Sequence, residues 1–173
     1  MTASDEVYMS GIHAQLVFSC MDRRHSNRKL RALSDAGVLH DDAPYEIRLA
    51  GGAGCLASVT DAVEKQYVLK QIKAGLSLGV EEVILTVHGI GEEDQGGCGG
   101  YRLAGFPQEE KTLEACNEFL AEELKQAEAT LRKAGVQVPI RLFIVTFAKD
   151  GTNLLNEVTS EQTFKASDSA LVA

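Results

Sequence analysis

Apolar residues along this chain fall into short continuous runs that alternate with longer stripes at helical spacing. Leu16-Val17-Phe18 is the first run and predicts a buried strand over residues 15–19. Strands are also expected over 45–49, 82–87 and 140–147, with a last short strand near 154–158. Between them the spacing of Leu30 and Leu33 predicts a short helix over 25–36. Val59, Val63, Ile72 and Leu76 predict a long helix over about 55–78. A stripe of Leu113, Cys116, Leu120, Leu124, Ala127 and Leu131 predicts another over about 109–134. Gly37, Gly79 and Gly135 stand just past the three helices as caps, and residues 41–44 read as a turn.

Strands alternating with helices predict a single-domain α/β fold, a mostly parallel sheet with helices on its faces. Right-handed crossovers would bring the first strand beside the third. Residues 15–160 are expected to form the domain, 1–14 a loose N-terminal arm and 161–173 a polar, frayed tail. A chain of 173 residues is long enough to bury a sizeable core.

The net charge of −8, with no basic run to neutralise phosphates, argues against nucleic acid as a partner. Arg23, Arg24, Arg28, Lys29 and Arg31 make one basic patch, expected to be a solvated helix face. No stretch approaches the length of a membrane span, and the first residues lack the apolar core of a signal peptide. Four cysteines without regular spacing do not suggest a disulfide framework, and a reducing cytoplasm is the expected setting.

The candidate chemistry gathers where strands end. The first strand stops at Cys20-Met21-Asp22-Arg23-Arg24, a thiol, a carboxylate and a guanidinium spaced Cys-x-Asp-x-Arg. The end of a strand is where open α/β sheets collect ligands, and Arg24 is placed to hold Asp22 as a charge-assisted pair. The third strand ends at His88, followed by a glycine-rich loop that carries Cys98. Cys20, His88 and Cys98 make two thiolates and an imidazole, a set suited to Zn2+ with a fourth position left for water or a carboxylate. Cys55, which follows the Gly51–Gly54 loop at an expected helix N-terminus, is the rival third ligand. Cys116 lies on an apolar stripe and is expected to pack. His13, His25 and His40 are expected on the surface, with His25 a speculative proton shuttle. Glu92, Glu93 and Asp94 are expected to face water. The glycine loops lack the spacing of a dinucleotide fingerprint, and no Gly-Lys-Ser/Thr follows them.

These motifs resemble the β-class carbonic anhydrases. Cys20 to Arg24 is similar to that family's Cys-x-Asp-x-Arg motif, Arg48 to Gly54 to its Arg-Asn-Ala-Gly segment, and Val83 to His88 to its third strand. The likeness covers roughly residues 16–158. Nine residues separate His88 from Cys98 where the family usually has two, and Leu49 stands where Asn is common. The resemblance implies a sheet of order 2-1-3-4 with a C-terminal edge strand. It implies a zinc lyase that hydrates CO2 reversibly to bicarbonate through hydroxide generated at the metal. Asp22 would orient that hydroxide, and Arg24 would keep Asp22 off the metal. It also implies a homodimer or larger homo-oligomer. Two alternatives are a hydrolase of carbonyl sulfide or carbon disulfide, and a zinc-binding homologue without turnover.

Overall fold

The computed structural model describes residues 15–23, 26–40, 44–91, 97–148 and 153–159. Five strands form one sheet in the order β2-β1-β3-β4-β5: β1 (Gln15–Cys20), β2 (Tyr45–Leu49), β3 (Glu82–His88), β4 (Ile140–Phe147) and β5 (Asn153–Val158). The β1–β2, β1–β3 and β3–β4 ladders are parallel, and β5 closes one edge antiparallel to β4. This is the α/β sheet of order 2-1-3-4 with a C-terminal edge strand that the family resemblance implies. Among the described residues the helices are α1 (Ser26–Asp35), α2 (Ala62–Ser77), α3 (Gly99–Leu103) and α4 (Leu113–Lys133). Among them, α3 has no counterpart in the hydrophobic pattern.

The continuous apolar runs have a simple cause. Every residue of β1 is buried, because helices cover both faces of a parallel sheet. On the larger face Leu16, Phe18, Val83 and Leu85 pack with Val68 and Ile72 of α2 and with Leu120, Leu124 and Leu131 of α4. On the smaller face Val17, Ile84 and Phe143 meet Leu33 of α1 and Val38.

The expected helix over 55–78 is broken. Asp61 caps α2, its Oδ1 accepting from the backbone N–H groups of Val63 at 2.8 Å and Glu64 at 2.9 Å. The segment before it, Gly52–Leu56, is a separate 3-10 turn, and the Thr60 hydroxyl donates to the Cys55 carbonyl at 2.6 Å. Starting the helix at Ala62 rotates Val63 into solvent, 78% exposed, while Val68, Ile72 and Gly75 face the core. Leu113, in the first turn of α4, is also exposed at 40%, whereas the rest of its stripe is buried.

In the basic patch Arg23, Arg28 and Arg31 are exposed as expected, and Lys29 is the exception. Lys29 is buried, not solvated, because its ammonium reaches under the end of β1. It donates to the Ser19 hydroxyl and, at 3.0 Å, to the Cys20 carbonyl, and it pairs with Glu46 Oε1 at 3.3 Å. Burial lowers its pKa, against the opposing charge of Glu46.

Among the described residues no helix is long and apolar enough to cross a membrane. The expected arm over 1–14, the tail over 161–173, the turn at 41–43, His13, Arg24, His25 and the carboxylates of Glu92, Glu93 and Asp94 all lie outside the described residues.

Candidate metal centre

The ladders bring two strand ends together. Phe18 pairs with Leu85 across β1 and β3, so Cys20 and His88 finish neighbouring strands on the carboxyl edge of the sheet. Cys98 arrives from the loop after β3, immediately before α3. The donor atoms of Cys20, His88 and Cys98 all lie within 4.8 Å of one another, and each residue is buried. Among the described residues this is the cluster of His, Cys, Asp or Glu able to hold a metal ion.

Its dimensions fit a small tetrahedral ion. The Cys20 and Cys98 sulfurs are 3.7 Å apart. Two sulfurs each about 2.3 Å from a tetrahedral centre would be separated by about 3.8 Å. Two thiols and an imidazole, dry and convergent, are a donor set for zinc or another borderline-soft divalent metal.

The same packing readies a thiolate. The hydrogen bond between the Cys20 and Cys98 sulfurs lowers the Cys20 thiol despite opposing burial, with help from the His88 imidazole and the Asp22 backbone N–H. Cys98 is pushed up by that same hydrogen bond and by burial.

Cys55 lies elsewhere. Its thiol donates to the Ala50 carbonyl at 3.0 Å, and burial pushes it up to about 12. The helix dipole expected to favour a thiolate there is missing, since Cys55 sits in the 3-10 turn rather than at the start of α2. Cys116 is buried in the α4 stripe and its thiol donates to the Gln108 carbonyl at 3.3 Å. His40 is exposed, and its backbone N–H donates to the Gln15 side chain at 2.7 Å.

Asp22 is the carboxylate beside the cluster, its Oδ2 3.7 Å from His88 Nε2. Two features hold the strand end on which it stands. Lys29 grips the Cys20 carbonyl from the opposite face of the sheet. Gly52, with φ of +58°, lets the loop after β2 pass so close that a Cβ there would lie 2.5 Å from the Thr86 carbonyl oxygen and 2.9 Å from the Cys20 nitrogen.

Sequence reasoning missed Lys29, although it lies four residues before Leu33 and so on the buried face of α1. It also missed Gln108, wholly buried, whose side chain contacts the backbones of His88 and Cys98. Its partners are main-chain atoms, which carry no residue signature.

No protein-family model matches the chain, and no curated protein matches its sequence. Several solved structures are similar. A carbonic anhydrase from Streptococcus mutans aligns at 15% identity over 92% of this chain and 99% of that one, with a TM-score of 0.45. A tetrameric β-carbonic anhydrase from Sordaria macrospora aligns at 14% identity over 90% of this chain and 86% of that one, with a TM-score of 0.45. An apo carbon disulfide hydrolase aligns at 15% identity over 78% of this chain and 74% of that one, with a TM-score of 0.38. The solved structures that this chain resembles include β-class carbonic anhydrases, the family its motifs suggest.

Proposed function

We propose that this protein is a zinc-dependent, carbonic anhydrase-like lyase that converts CO2 and water to bicarbonate and a proton. The observation that supports it best is the convergence of Cys20, His88 and Cys98 at the carboxyl edge of the sheet, with sulfurs at tetrahedral spacing. In this proposal those three residues hold the ion. Bound zinc would supply Lewis acidity that lowers the pKa of water toward neutrality.

The chain's own groups do the rest. The Asp22 carboxylate, beside His88, accepts a hydrogen bond from the reacting water and points its lone pair at the CO2 carbon. Arg24 is proposed, from the motif alone, to hold that carboxylate in place. Lys29 and the Gly52 loop fix the backbone of Cys20, so the acceptor and the ligand residue move as one piece. The proposal includes a cytoplasmic setting and a homodimer or larger assembly.

Stopped-flow CO2 hydration with metal analysis on one preparation tests the proposal. The expected result is about one zinc per chain and hydration that Asp22→Asn slows on the order of 100-fold or more with zinc retained. Zinc-loaded protein that hydrates no CO2 between pH 6 and 9 overturns the activity. Turnover of carbonyl sulfide or carbon disulfide in its place would move the substrate and keep the site.

A further inference from the structure

We propose that Gln108 is a positioning residue for the metal centre, a clamp that holds the backbones of His88 and Cys98 together across the long detour between them. Resting on the proposed metal site, the clamp goes beyond it by naming what sets the ligand spacing.

Gln108 begins a short 3-10 turn, Gln108–Glu110, and is 0% exposed. Its Oε1 accepts from the Cys98 backbone N–H at 2.8 Å, and its Nε2 donates to the His88 carbonyl at 3.3 Å. One amide group therefore bonds the main chains of two of the three candidate ligand residues. The side-chain amide of Asn or Gln offers a donor and an acceptor on one planar group, and Gln has the longer reach. The clamp is anchored in turn to α4, since the Gln108 carbonyl accepts from the Cys116 thiol at 3.3 Å.

Gly97 shows how closely the amide is seated. A Cβ at Gly97 would lie 2.5 Å from both Cβ and Oε1 of Gln108, so the residue before Cys98 has room for no side chain. With its N–H held by Gln108, Cys98 presents its sulfur to Cys20 at 3.7 Å. A two-residue spacer would set the ligand separation through the backbone itself. Nine residues leave many conformations open, and closing them costs entropy that a tether from outside the loop offsets.

The test uses the full chain and zinc itself, with affinity read by competition against a chromophoric chelator. Gln108→Leu removes both bonds, and Gln108→Glu keeps the acceptor for Cys98 but loses the donor to His88. Gly97→Ala displaces the amide with Gln108 still present, and it carries the test should Gln108→Leu fail to fold. Outer-shell partners typically set about 10–100-fold in metal affinity, which is the loss expected for Gln108→Leu, with a smaller loss for Gln108→Glu. Cobalt substituted for zinc should show altered ligand-field bands in each variant. In Gly97→Ala combined with Gln108→Leu, the two losses should fail to add. A parent that binds zinc, with all three variants within twofold of it, overturns the clamp alone. Weaker binding that follows a lowered apo melting temperature, with cobalt spectra unchanged, overturns it too, because Gln108 then serves general stability. A parent that takes up no metal overturns the metal site and the clamp with it.

Discussion

Replacing Gly52 with alanine should damage both the fold and the proposed centre, by an amount that the geometry sets. Gly52 has φ of +58°, a region that costs an L-residue about 1–2 kcal/mol. Its new Cβ would stand 2.5 Å from the Thr86 carbonyl oxygen, where carbon–oxygen contacts normally begin at about 3.3 Å. The Thr86 oxygen in β3 and the Cys20 nitrogen in β1, 2.9 Å from that Cβ, are both backbone, and each is held by its strand. Overpacking that cannot be relieved by a side-chain rotation costs a further 1–3 kcal/mol or so. The sum is roughly 3 kcal/mol, which for a chain of this size lowers Tm by about 6–12 °C. Calorimetry of the full chain, with and without added zinc, measures it. Gly99→Ala is the control, since nothing lies within 4 Å of a Cβ there, and it should change stability by less than about 0.5 kcal/mol. A Gly52→Ala protein melting within about 2 °C of the parent would refute this account of the loop.

Cys98→Ser is expected to lose zinc and hydration activity together, while Cys55→Ser, whose sulfur bonds the Ala50 carbonyl, keeps both; metal analysis showing the reverse would move the third ligand to Cys55. The Glu46 carboxyl is opposed by burial yet held below its usual 4.5 by Arg48 and Lys29. Its folded pKa lies below the unfolded one, so its contribution to stability is complete above pH 4.5 and is lost as pH falls through the folded value. Urea midpoints should therefore decline less steeply below pH 4.5 in Glu46→Gln than in the parent, and equal slopes would show the pair to be inert. Leu124→Ala, in the α4 stripe, should cost about 2–5 kcal/mol in urea unfolding, whereas exposed Val63→Ala should stay within about 0.5 kcal/mol. Equal costs would mean that α2 is rotated from the position described.

Local signals in the sequence were enough for the strands and for the adjacency of β1 and β3; the full sheet order came from the family resemblance. A parallel strand buried on both faces reads as an unbroken apolar run, and Leu16 to Phe18, Val83 to Leu85 and Leu142 to Val145 are such runs. The chain rule for right-handed crossovers then places Cys20 and His88 at adjacent ends without any coordinates. The break before α2 was also written locally, as Asp61 three residues before Glu64, but the apolar spacing from Val59 to Val63 masked it. What lies beyond local pattern was decided by tertiary contacts. Which cysteine joins Cys20 and His88 depends on how a nine-residue loop folds back, and periodicity says nothing about a loop. Lys29 resembles any surface lysine until α1 is laid against the sheet and its ammonium meets Glu46. Gln108 is the clearest case. It bonds an amide N–H and a carbonyl that every residue but proline possesses, so its partners become visible only when the chain has brought residues 88, 98 and 108 to one place.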